Sequence, residues 1–516
     1  AAVPALLIRL GSGQRLPFSL LRKSFLLVIV PAVLSAAAWA QTSAEVLDSD
    51  LVQAPQNPPP EGKAPRQEKN ESGEPPAHET PVKNERWNLF WQATSVGQYH
   101  GTFRSPYKGQ YSLQDYMERD VSLTTTLFFG LRLGRNTQLY FDGEIAGGRG
   151  FSNVNGLANS SNGELPRVAS ATPKPYVARL YIARDFGFGS EKESFESEEN
   201  QLAGQRPRTR YTVALGRFTL TDFFDNNRYS HDPRTQFLGW SVMYNGAWDY
   251  PADVRGYTWG WVHEFHTEHW SLRYASAAMP KVANGLRFDR RLFRDRGDVL
   301  EAEHRYRARE QDGAIRLLGY VNHANAGTYS KAIELARQVG GAPDVTATRQ
   351  VGTIKYGFGL NLEQALTKDL GAFARLAWND GKTESFAFTA IDRLASGGLS
   401  LVGRKWRRPY DTLATEFTAN GISGVHATYL ALGGYDFLLG DGKLRYGLES
   451  ISETYYSARL LPGFFATVDL QHVNNPAYNQ DRGPLWIASI RLHLEAGDIA
   501  SRFGKTKART QSAVNR

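Results

Sequence analysis

Residues Asp120–Leu133 read DVSLTTTLFFGLRL. Val121, Leu123, Leu127, Phe129, Leu131 and Leu133 share one parity, with Thr125 among them; Ser122, Thr124, Thr126, Phe128, Gly130 and Arg132 share the other. An extended chain sends alternate side chains to opposite faces, so this strand has one greasy face and one mostly polar face. It is long enough to cross a bilayer as a tilted strand, which takes about 9–11 residues. In a soluble barrel the greasy face would point inward, whereas in a membrane barrel it points out to lipid. The rest of the chain decides between the two.

The alternation recurs from Trp87 to the end. The segments are Trp87–Tyr99, Asp120–Leu133, Thr137–Gly147, Tyr176–Phe186, Tyr211–Thr219, Tyr257–His266, Trp270–Ala278 and Val299–Ala308, followed by Gly313–Ala324, Val351–Glu363, Leu370–Asn379, Ser385–Leu394 (with a possible run-on to Val402), Thr412–Thr418, Ser450–Leu460, Gly463–Val473 and Trp486–Glu495. Sixteen is an even number, as outer-membrane barrels of this kind require. Short turns at Gly134–Asn136, Thr267–His269, Glu310–Asp312 and Leu461-Pro462 alternate with long Gly/Asn/Pro-rich loops at 100–119, 148–175, 220–256, 279–298, 325–350 and 420–449. One end short and one end long is the asymmetry of an outer-membrane barrel, with short turns in the periplasm. The 187–208 connection breaks the rule, being long and acidic on the short side. Within the fifth long loop, Lys331–Gln338 has a helical look.

Composition agrees. Aromatic residues make up 12% of the 516 residues, yet mean hydropathy is only −0.43. A barrel with aromatic girdles outside and a polar lumen inside has that balance. There is no cysteine, which excludes disulfides and thiolate metal sites. The net charge of +8 is spread along the chain without a basic cluster for nucleic acid.

Residues 1–40 have the form of an export signal. Arg9, Arg15, Arg22 and Lys23 precede the apolar run Phe25–Ala37, which leads into Ala38-Trp39-Ala40. The alternative, a membrane anchor, would need a longer run. Residues 41–86 are Pro-rich and polar, with almost nothing to bury, and are expected to be a disordered periplasmic segment. The barrel domain is expected over 87–496 and a basic tail over 497–516.

Sixteen strands leave a water-filled channel. The inward parity carries Asp142, Glu144, Arg179, Arg273, Glu301, Glu303, Arg305, Arg307, Lys355, Glu363, Arg375, Glu453, Asp469 and Arg491. A pore for one ion type would show a ring of one sign, and here the signs interleave. Mixed charges with aromatics suit a neutral, hydroxyl-rich solute, although charges that merely pair across strands would give the same pattern. Loop Leu220–Gly256 is dense in Trp, Tyr, Asp, Asn and Arg and is too long for a connector. Folded into the barrel, it would narrow the pore with Asp225, Asn226, His231, Arg234, Asn245, Trp248, Asp249 and Arg255. As an external cap it would pack on its own aromatics.

Catalytic and metal motifs are lacking. There is no GxSxG, HExxH or P-loop. Gly440-Asp441-Gly442 is not a calcium loop, because acidic ligands do not continue at the required spacing. Glu301 and Glu303 share a strand face, but Arg305 and Arg307 beside them point to charge balance.

Several separated stretches resemble the carbohydrate-selective outer-membrane porins of the OprB type. They are Asn88–Thr94 (NLFWQAT), Phe103–Tyr107 (FRSPY), Glu144–Gly150 (EIAGGRG), Asp222–Asp232 (DFFDNNRYSHD), Gly246–Gly256 (GAWDYPADVRG), Asn420–Ser423 (NGIS) with His426 and Tyr429, and Gln471–Pro484 (QHVNNPAYNQDRGP). The resemblance runs from about Trp87 to Glu495. It implies a 16-strand barrel in the bacterial outer membrane that passes carbohydrates by facilitated diffusion, with lipid around it, no cofactor and no catalysis. It leaves monomer and homotrimer both open. The chain departs from the pattern in its Pro-rich segment and in its basic tail, which replaces the terminal aromatic on which many outer-membrane proteins end. Two rival functions make different demands. An exporter of an anionic polysaccharide would need a predominantly Arg/Lys lumen. A barrel enzyme, lipase or protease, would need a nucleophile beside a His near the rim. The expected fold is all-β: a transmembrane antiparallel barrel of about 16 strands with a long loop in its lumen.

Overall fold

The computed structural model describes residues 84–165, 172–291, 294–387 and 389–497. The expected export signal, nearly all of the Pro-rich segment and nearly all of the basic tail lie outside the described residues. Sixteen antiparallel strands form one closed barrel in which each strand pairs with its neighbours in sequence, and β1 closes on β16. They are β1 (Trp87–His100), β2 (Glu118–Gly134), β3 (Thr137–Gly148), β4 (Lys174–Phe195), β5 (Gly204–Phe218), β6 (Thr258–His266), β7 (Trp270–Ala278) and β8 (Arg296–Ala308). The second half comprises β9 (Gln311–Ala326), β10 (Gln350–Ala365), β11 (Leu370–Asn379), β12 (Arg393–Val402), β13 (Thr412–Gly421), β14 (Glu449–Leu461), β15 (Phe464–Asn474) and β16 (Leu485–Ala496).

The alternation in β2 now has a direction. Val121, Leu123, Leu127 and Leu133 are 40–61% exposed, whereas Ser122, Thr124, Thr126 and Phe128 are buried on the inner side. The same inversion holds at Leu215, Phe358, Val468 and Ile490, all exposed. An exposed apolar belt around a polar interior is stable only against hydrocarbon. Aromatics mark its edges: Trp87, Phe265 and Trp270 near the short turns, and Tyr99, Trp259 and Trp486 near the long loops, all exposed. Among the described residues no helix could cross a membrane, and the crossing is done by strands.

One segment falls elsewhere than expected. Ser385–Leu394 alternates like a strand, but β12 is Arg393–Val402, and residues 380–387 and 389–392 lie in a loop. Phe386, Ala390 and Ile391 are buried. Their apolar character serves packing beneath other loops rather than contact with lipid. The helical reading inside the fifth long loop holds, as helix Tyr329–Val339.

The outer end is capped where this helix meets helix Gly424–Ala431. Buried His426 lies 3.1 Å from Asp392 and 3.0 Å from Asp436, with the Tyr329 ring stacked on it at 4.3 Å. Burial pulls its pKa down, but the two carboxylates outweigh burial and hold it up at about 9. The folded value exceeds the unfolded one of about 6.5. The cluster's stability is therefore fully present below about pH 6.5 and is lost as pH rises through about 9.

Two outcomes are expected. Limited proteolysis should cut the cap at pH 10 and spare it at pH 7, while His426→Ala should be cut at both. Ile490→Arg, on the outer face of β16, should destabilise the barrel by about 2–4 kcal/mol in reversible unfolding from lipid vesicles, and a negligible change would place that face outside hydrocarbon.

Candidate functional site

The site forms where loop 219–257 meets the inward side of the wall. A loop buried in this way must satisfy its own backbone N–H and C=O groups, and wall charges do so here. The Asp225 amide donates to Glu301 Oε2 at 2.7 Å. Its carboxylate accepts from Asn361 Nδ2 at 2.7 Å and pairs with Arg375 at 3.1 Å. Arg375 also donates to the Ser230 and Val242 carbonyls, at 2.7 and 2.8 Å. Asp249 pairs with Lys355 at 3.1 Å and accepts from the amides of Phe386 and Ala387, at 2.9 and 2.7 Å. Glu453 accepts from the Gly239 amide at 3.0 Å, and Arg491 donates to the Pro233 carbonyl at 2.8 Å. Glu301, Lys355, Arg375, Glu453 and Arg491 are thus struts for the loop.

Glycines in the wall admit the loop at close range. A Cβ on Gly359 would lie 2.1 Å from Asn245 Nδ2, one on Gly371 2.0 Å from Tyr229 Cζ, and one on Gly297 2.1 Å from Pro251 Cγ. Glycine inside a strand commonly marks such an approach.

Between the loop and the wall of β3–β6 a cavity of about 820 Å³ remains. Arg234 from the loop dominates it. Its Nη2 reaches Glu144 at 2.8 Å, its Nε reaches Glu164 at 2.7 Å, and its Nη1 reaches Thr126 Oγ1 at 3.2 Å. Arg179 sits nearby, held bidentately by Asp222 at 2.6 and 2.7 Å and by Asp142 at 2.9 Å. Charge-assisted bonds in this number fix both guanidinium groups in orientation. Tyr176 and Tyr257 both donate to Glu144, with their rings 6.1 Å apart. Arg255 covers the Tyr176 ring at 4.2 Å and Arg179 covers the Tyr257 ring at 5.5 Å. Burial pushes the Glu164 carboxyl above its ordinary value despite Arg234 beside it. Burial and then Arg375 pull His231 down, so it stands neutral at pH 7.

The eight loop residues singled out from sequence divide into two groups. Asn226, His231, Arg234 and Arg255 line the cavity. Asp225, Asn245, Trp248 and Asp249 are buried in the seat instead, none above 2% exposed. Trp248 packs against Phe224 and Tyr250 with ring centroids 6.1 and 5.3 Å away, and is buried in the loop's seat rather than lining the cavity.

Of the wall residues, Asp142, Glu144, Glu301, Glu303, Lys355, Glu363 and Glu453 are buried on the inner side, as are Arg273, Arg375, Asp469 and Arg491. Arg273 and Arg316 tie Glu301, Glu303 and Glu363 into one ladder with contacts of 2.8–3.2 Å. Arg305 extends that ladder to the turn end, pairing with Glu303 and donating to the Thr267 carbonyl at 2.6 Å. Arg307 departs from expectation: its side chain is 71% exposed at the rim and pairs with Asp312. It keeps the inward parity but lies beyond the wall.

Sequence reasoning did not single out Tyr176, Tyr257, Glu164 or Asp222. Tyr176 and Tyr257 begin alternating segments, which hid them. Glu164 sits in loop 149–173, whose Asn159 accepts from the Ser241 amide at 2.7 Å and so braces the longer loop.

The family model for the carbohydrate-selective porins of the OprB family matches residues 129–495. Among solved structures, the high-pH form of Pseudomonas putida OprB is 15% identical, with a TM-score of 0.61 over 80% of this chain and 94% of that chain. The Acinetobacter baumannii outer-membrane channel DcaP is 9% identical, with a TM-score of 0.40 over 81% of this chain and 98% of that chain. No curated protein matches the chain by sequence.

Because Trp248 is fully buried inside the loop's seat, Trp248→Ala should cost the loop about 3–5 kcal/mol while sparing the barrel. Native-state hydrogen exchange should show that loss at the amides of Asn245–Tyr250, with the strands unchanged.

Proposed function

The chain belongs to the OprB family of carbohydrate-selective porins, and we propose that its sugars pass a constriction formed by loop 219–257 and the facing wall of β3 and β4. The protein is a bacterial outer-membrane channel rather than an enzyme. The observation that carries the proposal is the Arg234 guanidinium, held on all three nitrogens beside Tyr176 and Tyr257, whose tilted rings lie 6.1 Å apart.

A sugar entering this gap exchanges its water for carboxylates and guanidinium groups that hydrogen-bond hydroxyls, and its C–H faces lie against tyrosine rings. Because the polar groups are already paired with one another, each offers only its spare bonding capacity. Binding is therefore weak enough for release, as conduction requires. Around the cavity nine carboxylates face six arginines, which favours neutral monosaccharides and short oligosaccharides over an anionic polysaccharide. The apolar belt is exposed on β2, β5, β8, β10 and β16 alike, which supports lipid contact on every side. A homotrimer would have to cover part of that belt.

In planar bilayers, glucose should reduce the current of the wild-type channel. Arg234→Ala should raise the sugar-free conductance and weaken the block about tenfold, the worth of one lost charge-assisted bond. Current insensitive to every mono- and oligosaccharide at high concentration would contradict the reading, and an unaltered block in Arg234→Ala would remove this residue from the path.

A further inference from the structure

At the periplasmic end three of the seven turns take only two residues, 135–136, 309–310 and 462–463. The turn between β4 and β5 is longer and turns inward. The two strands run on as a hairpin to Phe195 paired with Gly204, and residues 196–203 fold back across the inner wall. Asn88, an inward residue at the start of β1, donates to Ser197 Oγ at 3.0 Å and to the Gln201 carbonyl at 2.7 Å. Asn200 donates to Asp142 Oδ2 at 3.0 Å, reaching the carboxylate that also holds Arg179. Leu202 is fully buried. It lies over Gly130, where an added Cβ would come within 3.3 Å of its Cδ2.

The base of the turn is clasped as firmly. Glu85 exchanges two bonds with Ala203: its amide donates to the Ala203 carbonyl at 2.9 Å, and its carboxylate accepts from the Ala203 amide at 2.8 Å. Arg132 Nη2 donates to the same carbonyl at 2.9 Å. Arg206 and Arg210 cover the Phe195 ring at 4.6 and 5.3 Å. A segment bound at both ends and in the middle does not swing freely, and its tip, Glu198–Gln201, lines the same cavity as Arg234. Nothing about joining two strands requires this, since Phe195 and Gly204 could be linked by a two-residue turn.

We propose that turn 196–203 is a second filter, in series with the outer constriction, which narrows the periplasmic exit and sets the size of solute that leaves the channel. The tips of Glu198, Glu199 and Gln201 offer hydroxyl-bonding groups to a solute that has already passed Arg234. Asn88 is the positioning residue that keeps them in the path.

The lack of cysteine makes the test direct. Glu199→Cys is labelled with a bulky methanethiosulfonate, labelling is verified by mass spectrometry, and single-channel conductance is read in KCl. Labelling should be complete and should cut conductance by about half or more. A second variant replaces residues 196–203 with Asn-Gly; it should conduct about twofold more and admit longer oligosaccharides in liposome swelling. A thiol that cannot be labelled, or full labelling without a fall in conductance, overturns the filter. So does an Asn-Gly variant that folds and keeps the original conductance and size limit. KCl conductance needs no sugar, so failure here leaves the outer constriction and its carbohydrate preference standing.

Discussion

A backbone inside hydrocarbon has no water to bond, and everything in this molecule follows from that constraint. Each N–H and C=O must be matched within the sheet, and a sheet leaves no unmatched edge only when it closes. The pairing of β1 with β16, in register from Trp91 with Ala496 to His100 with Ile487, completes the circuit. Once the circuit is closed, side-chain parity alone decides which residues meet lipid and which meet water.

Closure creates a second problem, because sixteen strands enclose more space than side chains can fill. The chain fills it with its own loops. Charges that would otherwise stand bare on the wall become the bonding partners of loop backbone. Burying a charge is costly unless it is paired and hydrogen-bonded, and Asp225, Arg375, Asp249 and Lys355 meet that condition through one another. What remains is a gap lined by groups already committed to partners, which suits weak and reversible contact with hydroxyls. The carbohydrate selectivity of the family is a reasonable outcome of a wall that spends most of its charge on holding a loop.

The barrel was legible in the sequence because lipid imposes a strict period of two on every strand, as in Asp120–Leu133. The error at Ser385–Leu394 has the same origin: Phe386 and Ala390 share one parity, but both are buried by tertiary packing that leaves no periodic trace. The site was only partly legible. Parity identified Arg179 and Glu144, and composition identified Arg234 and Arg255. Neither separates a residue that faces the cavity from one that seats the loop, so Trp248, buried in the seat, carries the same signal as Arg234, which lines the cavity. Tyr176 and Glu164 join the site through contacts between distant segments, which no local pattern encodes. The inward glycines Gly297, Gly359 and Gly371 carried a usable signal of where the loop would press. The length of the 187–208 connection marked it as an exception, while its return into the lumen depends on Asn88, more than a hundred residues earlier in the chain.

The central claim is that one parity of each strand touches hydrocarbon and the other does not. A nitroxide scan of β2, with single cysteines placed from Val121 to Phe129 in this cysteine-free chain and read in lipid bilayers, tests it most directly. Oxygen accessibility should be high at 121, 123, 127 and 129 and low at 122, 124, 126 and 128. A flat profile, or one with the opposite parity, would contradict the account.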